Sequence, residues 1–391
     1  MDPAKITVIV LNWNNQDATI ACLESLQRAD LHGANVLVVD NGSRDGSVDA
    51  IRARFADVKI IALPENVGYA GGNNAGIRAA LEASAEGVLL LNNDTVVTPD
   101  FLQPLLWAMG SHPMVAGVCS AIHRYDRPEM LDVAYCEVRF SEHDAVKIIG
   151  VNALPGQGFE SRREIDVAIG CSLLLRTDVL REVGLLDEAY FVYHEDVDWC
   201  LRAHRLGYRF YYEPLSRVLH RPSSSTTRLQ REPVAVGSSP VADELPNAEP
   251  LPWNPVRTYL GARNLIRLLR TYATATEKRA FVYSCLYEIP LEFFAVVYER
   301  EGWMRLHRWR FGDVIRLIFI DHHPLLQHDR PAPLRLLTLL CTVPIDLLWV
   351  LPQKIWRAHK QGRLAQLRYH VSGLWDGVLN RPLPLERLGL R

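Results

Sequence analysis

A small set of polar side chains in this sequence stands where chemistry could be done. The stretch LLLNNDTVVTPD (89–100) runs three leucines into Asn92, Asn93 and Asp94. A carboxylate at a strand end can help hold a hard divalent cation, which takes oxygen ligands and leaves positions for phosphate and water. The same residue read as a turn or helix cap needs no metal. Asp40 closes NVLVVDN ahead of NGSRDGS, as a turn residue or as an acceptor for a nucleotide base or ribose. YHEDVDWCLR sets Glu195, Asp196 and Asp198 in the first turn of a helix. Such acids complement the helix dipole; one that faces a cleft can serve as a general base to a hydroxyl. His220, in RVLHRPSSST, is structural or a neutral imidazole joining a carboxylate at a metal.

The elements that must position these groups alternate. ITVIVLNW (6–13), NVLVVDN (35–41), VKIIALP (58–64) and GVLLLNND (87–94) are short, β-branched and apolar, and helical stretches such as ATIACLESLQRA (18–29) and GGNNAGIRAALEAS (71–84) separate them. Continuous apolar strands joined by helices predict a parallel sheet covered on both faces. The fold class is α/β, an open Rossmann-like half-domain whose ligands bind outside the carboxyl ends of the strands, where Asn12, Asp40 and Asp94 fall. ENVGYAGGNNAG (65–76) puts Gly68, Gly71 and Gly72 just before a helix. Glycines there let a backbone approach a ligand, and a helix N-terminus attracts phosphate or sugar oxygens; an ordinary glycine-rich loop is the alternative. The pattern is not G-x-G-x-x-G after the first strand, which disfavours a dinucleotide cofactor.

Residues 113–165 alternate irregularly and predict an inserted set of antiparallel strands. DVAIGCSLLLRTDVLREVGLL (166–186) reads as strand, turn and helix. The acidic-headed helix that follows runs to about Leu206 and stops at Gly207, and two short strands come after it. Residues 222–255, rich in Ser, Pro, Ala and Glu, read as a loop or linker. From 256 the pattern is helical and basic.

The net charge of −2 hides an asymmetry: residues 1–250 hold 22 Lys and Arg against 34 Asp and Glu, whereas 251–391 hold 21 against 11. An acidic front suits metal sites, and a basic, apolar tail suits an anionic surface. The seven cysteines, Cys22, Cys119, Cys136, Cys171, Cys200, Cys285 and Cys341, are scattered and never form C-x-x-C. A disulfide framework or zinc site is therefore not expected, and a reducing compartment is. The opening MDPAKITVIV has no basic apolar leader, so no signal peptide is expected.

Taken in order, VIVLNWN, VVDNGSRDGS, ENVGYAGGNNAG, LLLNNDT, GCSLLLR, YFVYHEDVDWCLRAHRLGY and VLH resemble the family 2 glycosyltransferases over about residues 5–221. The nearest likeness is to the rhamnosyltransferase-like branch that builds bacterial surface polysaccharides. The resemblance implies a GT-A catalytic domain at 1–221, then the linker, then a largely helical region at 256–391. It implies a nucleoside-diphospho-sugar donor, dTDP-, UDP- or GDP-linked. Donor contacts would come from Asn12, Asp40, Asn66, Gly71, Gly72, Asn73, Asn92, Asn93 and Gly170, the last beside Cys171. Asn92 and Asp94 stand where the family has D-x-D, with Asn92 replacing the first acid. Asp94 and His220 would hold Mg2+ or Mn2+, and Asp196, preceded by Glu195, would be the base of a single inverting displacement onto a hydroxyl of a glycan or lipid-linked acceptor.

In the tail, YLGARNLIRLLR (259–270) carries Arg263, Arg267 and Arg270 at helical spacing. They form either a helix face against the catalytic domain or one that lies on anionic lipid and grips a lipid diphosphate. LLTLLCTVPIDLLWVLP (336–352) is near spanning length but has Pro344 and Asp346 at its middle, and 281–298 contains Glu288, Pro290 and Glu292. An aspartate at a bilayer centre costs about 2.5–3.5 kcal/mol, so peripheral attachment at the cytoplasmic face of the membrane is expected, with no nucleic acid partner. A sugar nucleotidyltransferase would share the fold and the metal but would open with a glycine-rich loop and basic residues, where this chain has LNWNNQDAT. A non-catalytic, membrane-docked binding protein is the other alternative, disfavoured by the joint presence of Asp40, Asp94, Asp196 and His220.

Overall fold

The structure, a computed structural model, describes residues 1–142, 144–221, 255–285, 364–385 and 388. Strands β1 (Ile6–Asn12), β2 (Asn35–Asp40), β3 (Lys59–Ala62) and β4 (Gly87–Asn92) alternate with helices α1 (Gln16–Arg28), α2 (Ser47–Arg54) and α3 (Gly68–Glu82). Pairing is parallel in the order β3-β2-β1-β4, with Asn12 opposite Asp40 and Leu11 opposite Asn92. The central strands β1 and β4 bury both faces, whereas β3 at the edge is partly exposed. Val8, Val10, Leu89 and Leu91 point into one core with Cys22, Leu23 and Leu26 of α1, while Ile9, Val88 and Leu90 point into the other with Ile77 and Ala80 of α3. This double burial is why the strands are apolar without alternation. The strand order reverses between β1 and β4, which opens a crevice at their carboxyl ends.

After β5 (Thr95–Val97) and α4 (Leu102–Met109) the sheet continues through β6 (Val115–Arg124), β11 (Ser172–Arg176) and β12 (Arg209–His220), with β7 (Leu131–Val133) and β10 (Arg163–Ile165) at its margins. β8 (Tyr135–Val138) and β9 (Val146–Ile149) form a separate antiparallel pair. Helices α5 (Thr177–Val183) and α6 (Glu195–Arg205) complete this part.

Three expectations change. β6 is not part of an insertion: it lies inside the main sheet, antiparallel to β11 and parallel to β12. Its first eight residues are all buried, so it carries none of the polar alternation that marks a half-exposed strand. The two short strands after Gly207 are one strand, β12, interrupted by a bulge where its register on β6 jumps from Glu213 to Arg217. Pro214, which lacks a donor N–H, sits at that jump. The glycines of 68–72 do not precede α3 but form its first turns. Gly68 has φ +80°, and a side chain there would strike the Phe191 carbonyl.

Beyond the α/β body, helix Pro255–Tyr272 buries Leu260, Asn264 and Leu268 completely. Its arginines are bonded within the protein: Arg267 to Asp187 at 2.8 Å, Arg263 to the Ala189 and Arg381 carbonyls, and Arg270 to the Gly377 and Val378 carbonyls. The helix therefore has the first of its two expected forms, a face against the catalytic body. A C-terminal helix, Leu364–Val378, lies along it, with the Tyr259 hydroxyl donating to Asp376 at 2.7 Å. No helix among the described residues is long and apolar enough to cross a membrane. The expected linker up to residue 254, residues 286–298 of the 281–298 stretch and the whole of 336–352 lie outside the described residues.

Candidate active site

Four side-chain clusters line the carboxyl ends of the strands. The first joins β1 to β2. Asn12, fully buried, donates through Nδ2 to Asp40 Oδ1 at 2.7 Å and to Ser43 Oγ at 3.1 Å, while its Oδ1 accepts from Thr19 Oγ1 at 2.7 Å and Asn93 Nδ2 at 3.2 Å. Asp40 Oδ2 accepts the Ser43 N–H at 3.0 Å. With its amide spent on protein partners, Asn12 orients Asp40 and Asn93 from behind.

The second cluster fixes the start of α3. Asn41, buried, donates to Asn66 Oδ1 at 2.9 Å and the Gly68 carbonyl at 3.0 Å, and accepts the Val67 N–H at 3.0 Å. Asn66 also receives the Gly68 N–H. Gly71 and Gly72 face protein: a Cβ at Gly71 would meet Val67, and one at Gly72 would lie 2.5 Å from Leu11 Cδ1. Asn73, 1% exposed, turns its amide back onto the Tyr69 carbonyl within the helix. The glycines thus let α3 lie close on β1, and the space they leave is filled by side chains.

The third cluster is charged. β12 pairs antiparallel with β5 so that His220 lies opposite Thr95, and the Arg221 N–H donates to the Asp94 carbonyl at 2.9 Å. That register sets His220 Nε2 3.5 Å from Asp94 Oδ2, while His220 Nδ1 lies 2.6 Å from Asp132 Oδ2. Burial alone would lower the imidazole pKa. Its bonds to Asp132 and Asp94 outweigh that and hold it up at about 10, so this pocket favours positive charge. Asp94 Oδ1 is buried and has no hydrogen-bond partner among the described residues. Sequence reasoning missed Asp132, which sits on β7, 88 residues from the histidine.

These features fit a divalent ion. Asp94 offers an oxygen with no other partner, and a histidine whose other ring nitrogen meets a carboxylate is the usual arrangement behind a metal-ligating imidazole. No group of three or more His, Cys, Asp or Glu side chains that could hold a metal gathers among the described residues, so an ion here needs further oxygens from phosphate and water. Asn92, at the end of β4 beside this pair, is half-buried.

The fourth cluster surrounds Asp196. Its Oδ2 accepts the Gly170 N–H at 3.0 Å and its Oδ1 the Val197 N–H at 2.8 Å, while the Tyr69 hydroxyl donates to the Gly170 carbonyl at 2.7 Å. The neighbouring Cys171 carbonyl accepts the Asn92 N–H at 3.0 Å, so one short segment connects the end of β4 to the acid. Burial raises the Asp196 pKa, partly offset by those N–H donors. Glu195 is 4% exposed, its Oε2 has no partner among the described residues, and burial beside Asp196 pushes its pKa far up. Asp198 is structural: it bonds Arg202 at 2.9 Å and the Tyr272 hydroxyl at 2.7 Å.

The chain reaches these acids through unusual backbone. Phe191, Tyr193 and His194 have φ of 65°, 71° and 72°. Each such non-glycine residue costs on the order of 1–3 kcal/mol and persists only where its surroundings impose it.

Comparison with known proteins agrees with this geometry. The family model described as Glycosyl transferase family 2 matches residues 7–184, ending before Glu195, Asp196 and His220. A low-salt glycan biosynthesis hexosyltransferase, Agl10, of Haloferax volcanii is 28% identical over 205 residues, 51% of this chain and 62% of that protein. An N-acetylglucosaminyl-diphospho-decaprenol L-rhamnosyltransferase of Mycobacterium tuberculosis is 28% identical over 223 residues, 53% of this chain and 72% of that protein. The solved structure of GalNAc-T7 with UDP, GalNAc and Mn2+ superposes with a TM-score of 0.52 at 14% identity, over 80% of this chain and 56% of that one. That likeness shows the fold.

Proposed function

We propose, from the match of residues 7–184 to the Glycosyl transferase family 2 model and the likeness to a rhamnosyltransferase, that this chain belongs to that family and moves a hexose, rhamnose first among them, from a nucleoside-diphosphate donor. The acceptor is a hydroxyl of a glycan or lipid-linked sugar in surface polysaccharide synthesis. The observation that carries this reading is the cradle of Asp196: both carboxylate oxygens are held by backbone N–H groups, the group is only half-buried, and it shares the strand-end crevice with the Asp94–His220 pair.

Asp196 takes the proton of the acceptor hydroxyl as that oxygen bonds to the anomeric carbon. The bond from the anomeric carbon to the donor phosphate breaks, and the nucleoside diphosphate leaves with the electron pair. One displacement inverts the anomeric centre, and no covalent sugar–enzyme bond forms. A raised pKa suits the role, since a stronger base takes the hydroxyl proton more readily. Asp40 receives the nucleoside, fixed in place by Asn12 and Ser43, and Asn92 with Asn93 borders the diphosphate. Asp94 and His220 would hold Mg2+ or Mn2+, which when bound would neutralise charge on the departing diphosphate. UDP and Mn2+ in the GalNAc-T7 structure support this donor and metal class.

Residues 256–391 would rest on the anionic inner face of the membrane. Val371, Trp375 and Val378 form an exposed apolar stripe on the C-terminal helix, and the tail's excess of basic residues matches anionic headgroups. Asp196→Asn tests the reaction: transfer falls at least 100-fold while donor affinity and fold persist. Full transfer activity in the folded variant would refute the assignment.

A further inference from the structure

We propose that Asn264 is a positioning residue for the catalytic base: its amide, delivered from the helix Pro255–Tyr272, locks the strained turn that aims Asp196. The inference rests on the reading of Asp196 as the base.

Asn264 Nδ2 lies 2.9 Å from the Tyr190 carbonyl, 3.0 Å from that of Val192 and 2.8 Å from that of Tyr193. An amide has two N–H donors and here three acceptors, so at least one bond is shared. The residue is 0% exposed, and its orientation is set, because Arg263 Nη1 donates to Asn264 Oδ1 at 3.0 Å. Two neighbours extend the grip: Arg263 reaches the Ala189 carbonyl at 3.3 Å and Arg267 pairs with Asp187 at 2.8 Å. Three adjacent side chains of one helix thus hold five residues between 187 and 193.

The held segment contains the positive-φ residues Phe191 and Tyr193 and leads through His194 directly into Glu195 and Asp196. On its other side the Phe191 carbonyl accepts the Ala70 N–H at 3.1 Å, from the turn of α3 that carries Tyr69. Tyr69 in turn bonds Gly170, whose N–H holds Asp196. Without the amide, the Val192 and Tyr193 carbonyls lose this donor and the Tyr190 carbonyl keeps the Val192 N–H, so the strained turn is held less firmly. The turn would then relax, and with it the register of the acid. Among the described residues, the Asp40 and Asp94–His220 clusters share no hydrogen bond with Asn264.

The experiment is steady-state transfer by the full chain. Asn264→Ala is expected to lower kcat on the order of 100-fold, the scale of a misplacement near 1 Å, with the donor KM within about twofold of wild type. Asn264→Gln, which keeps the amide, recovers part of kcat; Tyr259→Phe, which removes a bond between the two tail helices, leaves kcat unchanged. If Asn264→Ala has no cooperative melting transition, Asn264→Ser, with one hydroxyl donor, gives the same reading at smaller amplitude. Unchanged kcat in the folded Ala or Ser variant, or a changed donor KM at constant kcat, overturns the proposal. Asp196→Asn is measured alongside: if it abolishes transfer while Asn264→Ala does nothing, the base stands and the clamp falls. If Asp196→Asn retains transfer, the reading of the base itself fails.

Discussion

Replacing Asp132 by alanine removes the 2.6 Å contact to His220 Nδ1 without touching either proposed metal donor. The carboxylate does two things there: it fixes the ring so that Nε2 points at Asp94, and it makes that nitrogen a better donor. Losing such a partner typically weakens a metal 10–100-fold, about 1.4–2.7 kcal/mol. Asp132→Asn, which keeps an acceptor oxygen but loses the charge, falls at the lower end, and His220→Ala, which removes a donor, exceeds both. The assay is Mn2+ titration by calorimetry or electron paramagnetic resonance in the presence of a saturating nucleoside diphosphate, with melting temperatures as a check on folding. Mn2+ affinity in Asp132→Ala within twofold of wild type, alongside a large loss in His220→Ala, would refute the orienting role. Unchanged affinity in both variants would remove the metal from this corner altogether.

Three further outcomes are expected. Glu195 ionises near its ordinary value of 4.5 when unfolded but only well above it in the folded protein, so across that window the native state keeps a proton the unfolded chain has shed, and stability falls as pH rises. Glu195→Gln therefore melts like wild type near pH 4 and increasingly above it toward pH 8; a difference that shrinks with rising pH would contradict the assignment. Gly72→Ala forces a methyl against Leu11 and costs about 1–3 kcal/mol of stability by denaturant titration, whereas donor affinity follows only if the glycine's role is to admit a ligand. For the tail, flotation with anionic liposomes at low salt is expected to carry the protein with the lipid, Trp375→Ser weakens this, and absence of flotation sinks the membrane assignment.

How much of this was legible beforehand depends on the range of the interaction. Strands β1, β2 and β4 announce themselves because each is a largely apolar run of six or seven residues, and the polar groups at their ends stand out against that background, whereas β3 is four residues long and only partly buried. Asp132 gave no such signal: its significance arises only when β12 brings His220 back beside β7. Asn41, adjacent to Asp40, was passed over because a buried amide and a turn amide look alike in sequence. The glycines misled in a specific way, since a missing side chain makes room equally for a ligand or for Leu11. Asn264 is hidden by its neighbours: the arginines dominate the helix pattern, and the uncharged residue among them bonds three carbonyls of the α/β body.

The pairing of β12 with β5 makes the site sensitive to the number of residues in a way that it is not to their kind. His220 faces Asp94 because it is opposite Thr95 in an antiparallel ladder, and side chains on a strand alternate between faces. Deleting one residue between Arg217 and Leu219 would present the imidazole to the opposite side of the sheet, a loss that no substitution elsewhere in the strand could restore. The bulge at Glu213 to Arg217 already interrupts the ladder on β6 and, of the two register shifts along β12, is the one nearer His220 where a change in length could be absorbed. Variation along this strand, natural or engineered, is therefore expected to exchange its exposed side chains, such as Arg217, while keeping a fixed count from the bulge to the histidine.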